Sequence, residues 1–190
     1  RCHPRVVGVL DVGVEEGAAF LVMELLRGES LRARLQREAR LAPEAAVALL
    51  LPALEGVSAA HRVGIVHRDL KPENLFLVED PKGPHTKVLD FGISKVREDR
   101  LDPSTPSSGP VLTQTGVTIG TPHYMSPEQV RGARDLDARS DVWSVGVVLY
   151  EMLAGEVPFT ATSYGGLLVA IATDDAPPTR APPTRAARAP

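Results

Sequence analysis

The spacing of hydrophobic positions changes along this chain, and the changes predict the order of its secondary structure. Two short apolar runs, 6–11 and 18–24, flank a glycine- and glutamate-rich turn at 13–17 and predict a β-hairpin. Over 30–40 the pattern becomes helical, with basic residues on the polar positions. The amino-terminal part is therefore expected to be a hairpin followed by a short helix.

A longer helix is predicted after Pro43, a residue that the first turn of a helix tolerates. Pro52 inside this helix removes one backbone hydrogen bond and is expected to bend it. The positions that recur at helical spacing are Val47, Leu50, Leu51, Leu54, Val57 and His61.

The middle of the chain predicts a second hairpin and a long loop. Apolar runs at 75–78 and 87–90 are joined by a turn-rich segment, which indicates two antiparallel strands. The segment 97–118 is rich in Ser, Thr, Pro and Gly and shows no apolar period. A loop of this length in a compact domain is either functional or disordered.

The last regular elements are predicted to be two helices. Ser140 is interpreted as the N-cap of an apolar helix over 142–153 that Gly155 ends. Residues 164–172 add a shorter helix. The tail 176–190 repeats Pro-Pro-Thr-Arg and is expected to be extended and disordered, with a proline-rich recognition segment as the alternative.

Composition limits the classes of function. With 190 residues and 43% hydrophobic content the chain can bury one core, and the net charge of −3 gives no bulk attraction for nucleic acid or an anionic membrane. No apolar run comes close to the roughly 20 residues that span a bilayer. Cys2 is the only cysteine, so no disulfide can form within the chain. We therefore expect a cytoplasmic protein without a membrane segment.

Three ordered motifs carry the chemistry. The run HRDLKPEN occupies 67–74, DFG follows at 90–92, and GTPHYMSPE occupies 120–128. Together they supply a carboxylate base, a lysine for a phosphate, and two oxygen-bearing side chains for a hard cation, in the order that phosphoryl transfer from ATP requires. Each residue alone would be an ordinary solvated loop residue, but the ordered set of three motifs is specific for this chemistry.

On these motifs the chain resembles the catalytic core of a eukaryotic-type serine/threonine protein kinase, of the kind also found in bacteria. The resemblance implies an α+β fold: mostly the helical C-lobe with the last strands of the N-lobe, and without the N-terminal strands and the C-terminal helices. It also implies these divisions: a partial kinase domain over 1–175, a hinge near 23–28, the catalytic loop at 67–74, an activation segment over 90–128 and the tail at 176–190.

The resemblance assigns the catalytic residues. Asp69 would accept the proton of the substrate hydroxyl, and Lys71 would contact the γ-phosphate. Asn74 and Asp90 would be the ligands of Mg²⁺, with Mn²⁺ as the alternative ion. Thr121 would bond Asp69 and Lys71 and help to seat the hydroxyl, which together with Lys71 favours serine/threonine over tyrosine as the acceptor.

The resemblance also assigns an ATP site at the hinge. Met23 would limit the depth of the pocket, and the backbone of Glu24 and Leu26 would hydrogen-bond the adenine. Phe76 would form part of the apolar floor. The apolar run that contains these hinge residues is, by itself, typical of any half-buried strand.

Two further assignments are structural. His67 and Phe91 would stack with Val9 in a spine that links the lobes, although a histidine beside an aspartate could also suggest a base. Asp141, at the start of the apolar helix, would hydrogen-bond the backbone of the catalytic loop.

Control by phosphorylation is expected in the activation segment. Thr113 and Thr115 match positions that similar bacterial kinases autophosphorylate, and a phosphate there would draw Arg68 and Lys95 together. The partners implied are ATP and proteins with serine or threonine acceptors. A polar loop without this role is the alternative.

Parts of the kinase machinery are missing from the sequence. No lysine precedes Lys71 and no glycine-rich lid is present, and Gly8 and Gly13 lack the lysine that a P-loop requires. We therefore expect these 190 residues alone to be weakly active or inactive. The alternatives are a non-catalytic pseudokinase that acts as a scaffold, and a small-molecule phosphotransferase of kinase-like fold, which would not need the DFG and SPE motifs.

Overall fold

A computed structural model describes residues 3–16, 18–80, 85–91, 122–133 and 135–179. The predictions for Lys95, Thr113, Thr115 and Thr121 lie outside the described residues, as does most of the tail.

The first hairpin consists of β1 (Val9–Glu15) and β2 (Ala18–Met23), which pair antiparallel. The sequence predicted this hairpin. It predicted that the turn starts at Gly13, but strand β1 continues to Glu15, so the turn starts later. Gly13 pairs with Phe20, and a Cβ atom on Gly13 would lie 2.4 Å from the Phe20 Cζ atom. The absence of a side chain at Gly13 therefore lets the Phe20 ring pack against the strand, and Gly13 is not part of a turn.

A second sheet contains β3 (Gly28–Ser30), β4 (Leu75–Val78) and β5 (His85–Val88) in the order β3-β4-β5. The sequence predicted the antiparallel pair of β4 and β5. It placed the second strand at 87–90, two residues beyond its observed position. Strand β3 was not predicted, because its three residues are too short for an alternating pattern to show. It joins the sheet by pairing with β4, which lies far along the chain.

Helices α1 (Leu31–Glu38) and α2 (Pro43–His61) follow as predicted. Ser30 is the N-cap of α1, and its hydroxyl accepts the Ala33 N–H. Pro43 occupies the first turn of α2, and Pro52 lies inside the helix.

Helix α2 has the length and composition of a membrane-spanning helix, with 19 residues and a mean hydropathy of 1.3. This differs from our expectation that no apolar run comes near that length. Its Ala46, Leu50 and Ala53 lie in the core of the described structure, whereas Leu51 is exposed. A core helix passes the same length and composition test, so the feature is weak evidence for a membrane.

The later elements are the short helix α3 (Pro127–Val130), the long helix α4 (Ala138–Ala154) and α5 (Tyr164–Thr173). The prediction that Ser140 caps α4 was wrong. The N-cap is Asp137, whose side chain accepts the Arg139 N–H, and Ser140 is buried in the first turn. Gly155 ends α4 with a left-handed conformation, φ 83°, as predicted.

The main core lies where α1, α2 and α4 meet the sheet β3-β4-β5. The buried side chains at its centre are Leu31, Leu50, Leu70, Val88, Val148 and Met152. Because Leu70 belongs to the segment 67–74 and is buried, packing of this core fixes the loop that carries Asp69, Lys71 and Asn74. The chain therefore places its chemistry between α2 and β4, against the N-terminal end of α4.

Candidate functional site

The segment 67–74 forms a compact loop around Asp69. The Lys71 Nζ atom lies 2.7 Å and 3.0 Å from the two carboxylate oxygens of Asp69. The Asp69 side chain is 55% exposed, so a substrate can reach it. Two of the predicted site residues thus form an accessible ion pair.

Asn74 joins the same group. Its Nδ2 atom donates to the Asp69 carbonyl at 2.7 Å and to Asp69 Oδ2 at 3.2 Å. The 3₁₀ turn Pro72–Asn74 brings it there, with the Asn74 N–H bonded to the Lys71 carbonyl. Because the amide nitrogen faces Asp69, the amide oxygen is left for a cation.

Asp90 is brought to this loop by the residue before it. The Leu89 N–H donates to the Asn74 carbonyl at 2.9 Å, and the Leu89 carbonyl accepts His67 Nε2 at 2.8 Å. Asp90 itself has φ 57°, a left-handed conformation that non-glycine residues rarely adopt. Strained backbone of this kind is concentrated at functional sites.

His67 is fully buried and holds the loop from inside. Its Nδ1 atom accepts the Asp69 N–H at 3.2 Å, so Nε2 carries the proton that is donated to Leu89. Burial lowers the pKa of His67, although its hydrogen bond to Leu89 acts in the opposite direction. A neutral histidine with both nitrogens occupied is a structural residue and not a base.

Phe91 packs on His67 as the resemblance implied. The two rings are 4.8 Å apart with an interplanar angle of 61°, an edge-on contact. Val9, the third member assigned to this stack, is 48% exposed.

Asp141 connects helix α4 to the loop. It is fully buried, and it accepts the backbone N–H groups of His67 and Arg68, each at 2.8 Å. This confirms the hydrogen bonds expected of Asp141. His61 had been interpreted as part of the periodic apolar face of α2, but its Nε2 atom lies 2.6 Å from Asp141 Oδ2.

Gln129 holds the loop from a second side, and the sequence analysis missed it. Its Nε2 atom donates to the Arg68 carbonyl at 2.7 Å, while its Oε1 atom accepts the Ser126 N–H in a capping box. Arg68 has φ 68°, so hydrogen bonds on both sides of this residue maintain an unusual backbone conformation. The Ser-x-x-Gln spacing is the signal that could have predicted the cap.

Glu128 accepts a hydrogen bond from Ser140, the residue that the sequence predicted to be the N-cap of α4. The Ser140 hydroxyl donates to Glu128 Oε1 at 2.7 Å. Burial acts to raise the pKa of Glu128, but the bond from Ser140 and further hydrogen bonds outweigh it, so the pKa is lowered.

The predicted hinge lies between the two sheets. Glu24 is bound from two sides: Lys87 Nζ lies 2.5 Å and the Gly8 N–H 2.8 Å from its Oε1 atom. The hydrogen bond from Lys87 lowers the pKa of Glu24 in spite of partial burial. The Glu24 N–H is used by the Gly8 carbonyl, and within the described residues no backbone hydrogen bond takes the Leu26 N–H.

The apolar hinge residues lie on the strands that flank this segment. Met23 ends β2 and is 39% exposed, and Phe76 lies on β4 opposite Ser30 and Lys87. The structure thus places Met23 and Phe76 on two different sheets, one on each side of residues 24–27.

The candidate metal ligands are Asn74 and Asp90. Within the part of the chain that the structure describes, no three His, Cys, Asp or Glu side chains cluster as a metal site. The donor set that Asn74 and Asp90 offer is an amide oxygen and a carboxylate. This set fits Mg²⁺, which takes few protein ligands and keeps phosphate oxygens and waters.

Comparisons with known sequences identify the family. The sequence model of the protein kinase domain family matches residues 1–175. Serine/threonine-protein kinase pkn3 of Myxococcus xanthus is 43% identical over 185 residues, which are 96% of this chain and 32% of that protein. Serine/threonine-protein kinase PkaB of Streptomyces coelicolor is 44% identical over 171 residues, 87% of this chain and 38% of that protein.

A third relative is serine/threonine-protein kinase PknL of Mycobacterium tuberculosis, 45% identical over 157 residues, 83% of this chain and 36% of that protein. The chain thus spans about a third of the length of these relatives. The match over 1–175 covers nearly all of the sequence, and the chain belongs to the protein kinase domain family.

Proposed function

We propose that this chain is part of a protein kinase that transfers the γ-phosphoryl group of ATP to serine or threonine hydroxyls of proteins. The family match and the names of the relatives support this function. The observation that carries it is a set of hydrogen bonds. Asn74 donates to Asp69, and Leu89, the residue before Asp90, is hydrogen-bonded to both Asn74 and His67.

In this function Asp69 would accept the proton from the acceptor hydroxyl and orient it. Lys71, 2.7 Å from Asp69, would place its charge beside the γ-phosphate as a point charge. Neither residue forms a covalent intermediate. Their contribution is position and charge, because phosphoryl transfer is accelerated mainly by alignment and electrostatic stabilisation.

Asn74 and Asp90 would hold Mg²⁺ through the amide oxygen and the carboxylate. The bound ion supplies charge neutralisation for the phosphate oxygens. The hydrogen bond from Asn74 to Asp69 keeps the metal ligand and the base in one rigid loop.

ATP would enter at the hinge. The Leu26 N–H and the Glu24 carbonyl are the backbone groups proposed to meet the adenine edge, between Met23 and Phe76. The pair of Glu24 with Lys87 ties this segment to β5, so the hinge is held in place before a nucleotide binds.

We infer that phosphorylation of Thr113 and Thr115 regulates the chain through Arg68 and Lys95. Arg68 supports this inference, because among the described residues no carboxylate pairs with its guanidinium, although its backbone is held on both sides. Mass spectrometry after incubation with Mg-ATP should find phosphate on these threonines. An active sample in which both stay unmodified would contradict this mode of regulation.

The activity of these 190 residues alone is expected to be low. The chain has no lysine before Lys71, and kinases hold the α- and β-phosphates with a lysine from an upstream strand. Removing one preorganised group that stabilises charge in the transition state costs on the order of 10²–10³ in rate. The second candidate is a scaffold that binds nucleotide without transferring phosphate.

The test is transfer of radiolabelled γ-phosphate to a pool of serine- and threonine-containing peptides, with Asp69→Asn as the matched variant. Slow transfer that falls by about 10²-fold or more in Asp69→Asn is expected. Transfer that Asp69→Asn does not change would refute the assigned base. Binding of Mg-ATP without any transfer would favour the scaffold, and Asp90→Asn should weaken that binding only when Mg²⁺ is present.

A further inference from the structure

Gln129, near the end of α3, makes hydrogen bonds with its side chain in two directions. Its Oε1 atom accepts the Ser126 N–H at 3.0 Å, and its Nε2 atom donates to the Arg68 carbonyl at 2.7 Å. A carboxamide has an acceptor end and a donor end, so one side chain serves both partners at once. Gln129 therefore connects the capping box of α3 to the residue before Asp69.

The peptide group that joins Arg68 to Asp69 is held at both of its ends. Its carbonyl accepts Gln129 Nε2, and its N–H is donated to His67 Nδ1 at 3.2 Å. Because a peptide group is planar, two hydrogen bonds on its opposite sides fix its orientation. The Cα atom of Asp69 follows directly, so this orientation determines where the carboxylate points.

The conformation of Arg68 depends on these hydrogen bonds. Its φ of 68° lies in the left-handed region that a residue with a Cβ atom rarely adopts. Its N–H donates to Asp141 Oδ1 at 2.8 Å, and its carbonyl is bonded by Gln129. Helix α4 thus holds one side of Arg68 and helix α3 holds the other.

The segment that carries Gln129, residues 122–130, rests on α4, and we call it the platform. Ser126 is fully buried, and its hydroxyl donates to Ser140 Oγ at 3.2 Å. The Ser140 hydroxyl donates in turn to Glu128 Oε1 at 2.7 Å. The platform and the catalytic loop are therefore both bonded to the first turn of α4, and the Gln129 amide joins them directly.

We propose that Gln129 is a positioning residue for phosphoryl transfer and acts on Asp69 through the Arg68 carbonyl. The platform seated on α4 places the Gln129 amide, and the amide orients the peptide group in front of Asp69. Seating of the platform and alignment of the base are therefore one event, and a displaced platform misaligns the base. This inference rests on the proposed function, and it adds the way in which the end of the activation segment controls the base.

Gln129→Glu separates this role from helix capping. Glutamate keeps the oxygen that accepts the Ser126 N–H and is itself a standard residue at this position of a capping box. Its second oxygen replaces the donor and repels the Arg68 carbonyl. With a peptide that has uncharged residues around one serine, kcat should fall by about 10- to 100-fold, because the base is misaligned. The KM for Mg-ATP should stay within about twofold, and a higher KM with unchanged kcat overturns the proposal.

Gln36→Glu is the matched control, because it makes the same chemical change at an exposed position of α1. Its kcat should equal that of the unmodified chain. A capping role alone would leave Gln129→Glu as active as this control, and that result also overturns the proposal.

Amide hydrogen exchange of Asp69, followed by NMR, gives a readout that does not need phosphate transfer. In Gln129→Glu the Asp69 amide should exchange about tenfold faster than in the unmodified chain, whereas the amides of Val147 and Val148 in α4 should not change. An unchanged Asp69 rate overturns the proposal. If the rate rises but neither protein transfers phosphate, the kinase activity is refuted, while the orientation of Asp69 by Gln129 stands.

Ser126→Ala tests whether the platform transmits its seating to Asp69. The substitution removes the hydroxyl that is bonded to Ser140 and leaves the Gln129 amide in the chain. Exchange of the Asp69 amide should rise and kcat should fall, both by less than in Gln129→Glu. Faster exchange within the platform with no change at Asp69 refutes the coupling.

Gln129→Met is the second variant in case Gln129→Glu does not fold. Methionine is an unbranched side chain and brings no charge to the Arg68 carbonyl. The same losses as those described for Gln129→Glu support the proposal, and a folded Gln129→Met with normal kcat and normal Asp69 exchange overturns it. If neither variant folds, Gln129 is purely structural and the proposal is wrong.

Discussion

The imidazole of His61 and the carboxylate of Asp141 lie 2.6 Å apart, although 80 positions separate them in the chain. The same carboxylate oxygen accepts the His67 N–H, and the other oxygen accepts the Arg68 N–H. One buried side chain on α4 therefore connects the end of α2 to the loop that carries Asp69. The position of the proposed base depends on this connection.

Asp141→Asn should destabilise the chain by about 2–4 kcal/mol. An asparagine has one oxygen where three N–H groups need acceptors, so at least one buried donor is left unsatisfied. The measurement is the free energy of unfolding from urea denaturation.

Asp137→Asn is the control for this substitution, because it makes the same chemical change at the exposed N-cap of the same helix. Asparagine caps helices about as well as aspartate does, so the unfolding free energy should change by less than about 0.5 kcal/mol. Equal losses in the two variants would show that the hydrogen bonds of Asp141 contribute little.

Stability should fall as the pH drops below about 6.5, the ordinary pKa of histidine. Burial lowers the pKa of His67, so just below that pH the unfolded chain binds more protons than the folded chain does. The contribution of His67 is complete above about pH 6.5, declines below it, and levels off below the folded pKa. Urea denaturation between about pH 7.5 and pH 5 measures this decline.

His67→Phe keeps an aromatic ring against Phe91 and removes the titrating group. Its unfolding free energy should change less over the same pH range than that of the unmodified chain. Glu24 and Glu128, whose lowered pKa values start from an ordinary value of 4.5, contribute only at lower pH. Identical pH slopes for the two proteins would exclude His67 as the source.

Gly155→Ala should destabilise the chain by about 1–2 kcal/mol. Gly155 has φ 83°, and a Cβ atom there would lie 3.1 Å from the Ala39 carbonyl oxygen. Gly146→Ala, in the middle of the same helix, is the control. A Cβ atom at Gly146 meets nothing within 4 Å, so alanine should stabilise the helix by up to about 1 kcal/mol.

If this interpretation is correct, thermal unfolding should show a lower melting temperature for Gly155→Ala and a higher one for Gly146→Ala. A loss of stability in both would mean that the close approach and the left-handed conformation at Gly155 are not what distinguishes the two glycines.

Much of the fold could be predicted from local patterns. The periods of α1, α2 and α4, and the cap at Gly155, are properties of neighbouring residues, so they appear in the sequence. The start of α4 was misplaced because Ser140 is a good N-cap by type, but Asp137 lies at the position where the backbone first turns helical. Strand β3 was missed because it exists only through its pairing with β4.

The sequence by itself determined the chemistry of the loop 67–74, because the acid, the lysine and the amide of Asp69, Lys71 and Asn74 are properties of side-chain type and spacing. Only the tertiary structure decided that Gln129 and His61 support this loop and that Arg32 forms ion pairs with Glu73 and Glu151. Those contacts join residues far apart in the chain. They depend on how buried polar groups find partners when the helices pack, and no local pattern records that choice.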